Sequence, residues 1–90
     1  MPGDIYVLRY WRNRPVRWFR SARRHHIGRA HAAHVMASID PVIVPAEDGM
    51  DVRLVWIGRD DRGVELEIVA LVLPDELVVI HVMPTALRGP

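Results

Sequence analysis

The chain has no cysteine and no lysine among its 90 residues. Without cysteine there are no disulfides, no thiolate zinc sites and no cysteine nucleophile. Nothing marks an oxidising compartment either, so the expected location is cytoplasmic. Long apolar runs are also missing. The longest, Ile68 to Leu73, falls far short of the roughly 20 residues that span a bilayer. The N-terminus carries arginines where a signal peptide would have an apolar stretch, so no signal peptide is expected. Gly58, Gly63 and Gly89 form no phosphate-cradling motif, and no serine sits in a nucleophile-elbow setting. No cofactor is implied. A chain this short forms one small domain that buries about 60–65% of its unfolded surface. Half the residues are apolar and 26% are charged, a globular balance rather than a disordered one.

The charge that is present is unevenly placed. All 12 basic residues are arginine, and eight of them (Arg9, Arg12, Arg14, Arg17, Arg20, Arg23, Arg24 and Arg29) precede residue 35. Asp4 is the only acid in that stretch, so residues 1–34 carry 8 − 1 = +7, while residues 35–90 carry 4 − 10 = −6. His25, His26, His31 and His34 also fall in the basic half. Such a split points to a polyanion or an acidic partner. Arginine pairs bidentately with phosphate and stacks on bases, and here Tyr10, Trp11, Trp18 and Phe19 are interleaved with it. This is the composition of a surface for single-stranded nucleic acid. Arg17, Arg20, Arg23, Arg24, Arg29 and His26 are its candidate RNA contacts. The plainer alternative is a coding bias for arginine, with the two halves neutralising each other.

Residues 1–14 read as an N-terminal arm or an edge strand over Ile5–Trp11, and residues 15–90 as a single domain. Val16 to Phe19 suggests a short strand. Ser21 is a candidate cap for a short helix ending near His26, and a second helix is expected from Arg29 to Ser38. Ala32, Val35, Met36 and Ile39 share one face at helical spacing and should reach the core. His31, His34 and Ser38 lie on the opposite side. Asp40-Pro41 stops the helix, and Val42-Ile43-Val44 forms a short strand.

Asp51–Gly58, Val64–Leu73 and Leu77–Met83 then read as three strands. Asp60-Asp61-Arg62-Gly63 fits a type I turn followed by a left-handed glycine. In that register Arg59 faces Glu65 as a cross-strand ion pair. Val52, Leu54, Trp56, Leu66, Ile68, Ala70 and Val72 fall on one apolar face, with Val78, Ile80 and Val82 beside them. A one-residue slip would drive Glu65 and Glu67 into that face, so the pattern favours this register. The expected fold is α+β: one or two small N-terminal helices packed on a twisted antiparallel sheet of three to five strands.

The other sheet face carries the chemistry. It gathers His81, Glu67, Glu65, Arg59 and Arg53, together with Val79 and Met83, with Arg88 just beyond Pro84. Imidazole titrates near neutrality and suits proton transfer, and guanidiniums stabilise developing phosphorane-like charge. Such a set can cleave RNA without a metal. The plainer alternative is an exposed sheet face with ordinary ion pairs. A metal site at His26, His31 and His34 is disfavoured, because no acid flanks them and cysteine is absent.

Four segments resemble the RelE/ParE superfamily of bacterial toxins, and its BrnT-like branch in particular. "ARRHHIGRAHAAHVMASIDP" is similar to the family's basic helix, "(H)xGI" motif and proline-terminated second helix. "RLVWIGRDDRG" is similar to its "IGR" strand and polar turn, and "VELEIVALVL" with "LVVIHVM" to its two apolar strands. The resemblance covers roughly residues 16–88, and "IHVMPTALRGP" departs from the family's C-terminal arginine cluster and helix. It implies the toxin component of a type II toxin–antitoxin system, a metal-independent endoribonuclease acting on messenger RNA. Arg59, His81 and Arg88 match the polar positions on and after the family's strands. The implied partners are a cognate antitoxin, RNA that is free or ribosome-bound, and a homodimer or toxin–antitoxin hetero-oligomer. Some members inhibit gyrase instead, so the fold alone fixes no chemistry. A non-catalytic module that binds nucleic acid or protein stays open as the alternative.

Overall fold

The structure is a computed structural model and describes residues 13–49 and 51–88. The proposed arm or edge strand at Ile5–Trp11 lies outside the described residues. Strand β1 (Val16–Trp18) leads into a 3-10 turn at Arg20–Arg23 and then helix α1 (Arg29–Ser38). Strands β2 (Val42–Val44), β3 (Arg53–Arg59), β4 (Glu65–Val72) and β5 (Leu77–Pro84) follow, and a second 3-10 turn spans Thr85–Arg88. One five-stranded sheet results, in the order β1-β5-β4-β3-β2. This is the expected α+β class, with one difference in strand direction. Strands β2 to β5 form an antiparallel meander, but β1 runs parallel to β5. The chain leaves β1 through the 3-10 turn and α1 and re-enters at the far edge, so β1 is free to take that direction.

Helix α1 ends because Ile39 is extended (φ −135°, ψ 158°) ahead of Asp40-Pro41, where proline disfavours helical backbone in the residue before it. Its buried residues are Ala32, Val35 and Met36, as their spacing requires, and they pack over β3 and β4. Gly58 allows this approach. A Cβ there would lie 2.7 Å from Ile39 Cδ1 and 3.3 Å from Val35 Cγ1, so the glycine of the "IGR" segment is a packing residue. Beneath the helix Leu54, Trp56, Leu66, Ile68, Leu77, Val79 and Val82 are essentially inaccessible to solvent.

The β3–β4 hairpin adopts the expected register, with Trp56 opposite Ile68 and Arg59 opposite Glu65. Gly63 takes φ +82°, and Asp60 N–H donates to Val64 O at 2.9 Å. The Arg59–Glu65 ion pair does not form. Arg59 Nη1 instead donates to Gly63 O at 2.9 Å, and Glu65 accepts from Thr85 Oγ1 at 2.6 Å. An exposed guanidinium gains little from an exposed carboxylate, and the turn carbonyl lies within its reach.

Strand β5 departs from the straight pairing. Val69 faces His81, yet Ala70 faces Val79, so Ile80 is an extra residue and makes a bulge. The bulge reverses the expected facing on its N-terminal side. Leu77 and Val79 enter the core, and Val78 turns to the other face. Ser21 explains how the bulge is held. Its hydroxyl donates to Ile80 O at 2.6 Å and satisfies a carbonyl near the irregular pairing. Ser21 therefore ties the 3-10 turn to β5 and caps no helix; the expected helix to His26 is a single 3-10 turn of four residues.

Candidate functional site

The face of the sheet away from α1 gathers a compact polar cluster at β4, β5 and the last 3-10 turn. Glu67 lies opposite Met83 and one step diagonal from His81. At that spacing long side chains meet, and His81 Nε2 pairs with Glu67 Oε1 at 3.1 Å. The turn after Pro84 folds the chain back, and the Arg88 guanidinium pairs with Glu67 Oε2. Thr85 anchors the same turn to Glu65. One carboxylate thus orients an imidazole with one oxygen and a guanidinium with the other. Glu67 is mostly covered and His81 is one-third exposed, so the imidazole is both held and reachable.

The structure brings together His81, Glu67 and Arg88 but leaves Arg59 and Arg53 outside the cluster. Arg59 is on the same face, with its guanidinium on the hairpin carbonyl. Arg53 lies four residues before Ile57, the partner of Glu67, or ~14 Å away along the strand at ~3.4 Å per residue. Its Nε is buried without a hydrogen-bond partner.

A second histidine joins the cluster from the other side of β5. The 3-10 turn packs on β5, and the His25 and His81 rings meet edge-on, with centroids 6.4 Å apart and planes at 82°. The backbone turn that delivers His25 is visible one residue later. His26 has φ +58°, a left-handed conformation in which histidine is one of the more tolerant side chains. His25 was legible only as part of a basic run, because no periodicity separates it from His26.

The basic corner lies at this end of the molecule. Arg20, Arg23 and Arg24 are exposed, and no side-chain ion pair engages them among the described residues. Phe19 beside them is half exposed. Two other candidates are occupied. Arg17 donates through Nε and Nη2 to Glu76 Oε1 at 3.0 and 2.9 Å, and these hydrogen bonds raise its pKa. The Arg29 guanidinium carbon lies 6.0 Å from the Trp18 ring centre, within cation–π range. His26 is exposed.

A third cluster lies at the hairpin turn. His31 Nδ1 sits 2.5 Å from Asp61 Oδ1 and 4.0 Å from Asp60 Oδ2. These three side chains offer metal-ligand atoms within 4.8 Å of one another, but Asp60 is already engaged. Its Oδ1 accepts from Arg62 N and Val64 N, and its Oδ2 from Arg62 Nε and Nη2. Burial pushes the Asp60 pKa up, yet these hydrogen bonds outweigh it and hold the group at about 2. Asp61 is also lowered, chiefly by its hydrogen bond with His31. A cation would have to displace Arg62, so the cluster acts as a clamp between α1 and the hairpin. His26 and His34 take no part in it.

Among the described residues no helix is long and apolar enough to cross a membrane. No protein-family model, curated protein or solved structure matches the chain.

Proposed function

We propose that this chain is a cytoplasmic RNA-cleaving toxin of the RelE/ParE type, held in check by a cognate antitoxin. The observation that carries this reading is the shared Glu67 carboxylate, which pairs with His81 and Arg88 on the sheet face away from α1, while exposed Arg20, Arg23 and Arg24, without an ion pair among the described residues, lie on and just after the 3-10 turn that packs against β5. The chemistry follows from the groups present. His81 removes a proton from the ribose 2′-hydroxyl, and Glu67 orients the ring and stabilises the imidazolium that forms, the role a carboxylate plays behind a histidine base. Arg88 faces the charge that develops on the phosphate. Arg20, Arg23 and Arg24 hold the strand electrostatically while Phe19 offers a stacking face.

A growth assay tests the toxin reading. Induction in bacteria should arrest growth, and co-expression of the neighbouring small gene or the substitution His81→Ala should relieve the arrest. Normal growth with soluble, folded protein would refute it. The second reading is a binding module without chemistry. It is favoured by the basic corner, whose arginines need nothing from Glu67 in order to hold RNA. Binding without cleavage would select it.

A further inference from the structure

We infer that His25 is the general acid of RNA cleavage at this face, paired with His81 as the base. The inference rests on the RNA-cleaving reading above and adds a residue and a proton path to it. Cleavage through the 2′-hydroxyl needs two proton transfers at opposite sides of one phosphate. One removes the proton from the attacking oxygen, and the other delivers a proton to the departing 5′-oxygen. His81 alone supplies the first. The group placed to supply the second is His25, whose ring meets that of His81 edge-on with 6.4 Å between centroids. The edge-on arrangement keeps the two rings from stacking on each other, so the two imidazoles approach without sharing a face.

The environments of the two histidines divide the roles. With its Nε2 proton donated to Glu67, His81 keeps its lone pair on Nδ1 and acts as the base. His25 has no carboxylate partner among the described residues and follows Arg20, Arg23 and Arg24, the arginines expected to hold the strand. In the reaction His81 Nδ1 takes the 2′-hydroxyl proton and the O2′–P bond forms. The P–O5′ bond breaks, and protonated His25 gives its proton to the departing oxygen. The products are a 2′,3′-cyclic phosphate and a 5′-hydroxyl, and no co-reactant is consumed. The fold supports the placement. Ser21 fastens the 3-10 turn to Ile80 next to His81, and the left-handed backbone at His26 turns the chain immediately after His25. Non-glycine backbone in that region tends to occur at functional sites.

The test follows cleavage of a single-stranded RNA across pH by the parent, His25→Ala and His81→Ala. The parent should give a bell-shaped profile. Each variant should lose about 10²–10⁴-fold in rate; His81→Ala should lose the limb set by the base and His25→Ala the limb set by the acid. A substrate with an activated leaving group, uridine 3′-(p-nitrophenyl phosphate), then separates chemistry from positioning. It needs no protonation of the leaving oxygen, so it should restore most of the rate to His25→Ala and none to His81→Ala. Parent cleavage with no rescue of His25→Ala, or products ending in a 5′-phosphate, would overturn the acid role and leave the nuclease reading intact. No cleavage by the folded parent at any pH would overturn both.

Discussion

Replacing Arg20, Arg23 and Arg24 together by alanine should weaken RNA binding in a way that depends steeply on salt. All three are exposed and lack an internal partner among the described residues, so each is free to neutralise one phosphate and release its counterion. For single strands each such contact contributes about 0.7 to the slope of log affinity against log salt, so three contacts contribute about 2.1. From 50 to 200 mM salt, that slope amounts to about 20-fold in affinity, which the triple variant should no longer lose. The assay is fluorescence anisotropy of a labelled single-stranded RNA at several salt concentrations. Arg17→Ala is the internal control. Glu76 already holds Arg17 at 2.9 Å, so its removal should leave the slope where it was. An unchanged slope in the triple variant, or an equal change in Arg17→Ala, would show that the strand does not lie along this corner.

Three further outcomes follow from the fold. Ser21→Ala removes the 2.6 Å bond to the bulge carbonyl; because the site is exposed and water can substitute, the loss should be about 0.5–1.5 kcal/mol. Calorimetry should then show a Tm drop of about 4–8 °C per kcal/mol for a domain of this size, and an unchanged Tm would mean the bulge is held by other contacts. Gly58→Val places side-chain atoms where even a Cβ lies 2.7 Å from Ile39 Cδ1, and urea unfolding should register a loss of about 1–3 kcal/mol. Asp60 titrates at about 2 in the fold, below the ~3.9 of an unfolded aspartate. Its contribution is therefore full above pH ~4 and is lost as pH falls toward 2. Asp60→Asn should flatten this part of the acid-denaturation curve, and an unaltered curve would place the acid sensitivity elsewhere.

The parts of the fold that were legible in the sequence are those where a wrong arrangement would bury charge. Glu65 and Glu67 forbid a one-residue slip of β4, so the β3–β4 register and the core position of Trp56 followed from pattern alone. Helix α1 was equally readable, because Asp40-Pro41 ends it and four apolar residues mark its inner face. The bulge in β5 was not. Leu77, Val78, Val79 and Ile80 are all apolar, so the run carries no phase, and either alternate set fits the core. His81 alone breaks it, and His81 lies beyond the bulge. The parallel direction of β1 depends on where the crossover lands, which three strand residues cannot encode. In the candidate site Glu67 and His81 were legible from face alternation, and Arg88 from its place just beyond Pro84. The exclusion of Arg53 depends on distance along β3, and Arg59 is drawn away by a carbonyl in its own turn. His25 was missed because its position depends on the left-handed backbone at His26 and on the Ser21 bond to β5.

The most direct measurement compares a single-stranded RNA with an otherwise identical strand that is 2′-deoxy throughout, each incubated with the purified chain in the presence of a chelator. The RNA should be cut to fragments ending in 2′,3′-cyclic phosphate, the deoxy strand should remain intact, and folded His81→Ala should cut neither. An intact RNA, or equal cutting of the deoxy strand, would contradict cleavage through the 2′-hydroxyl by the Glu67–His81 face.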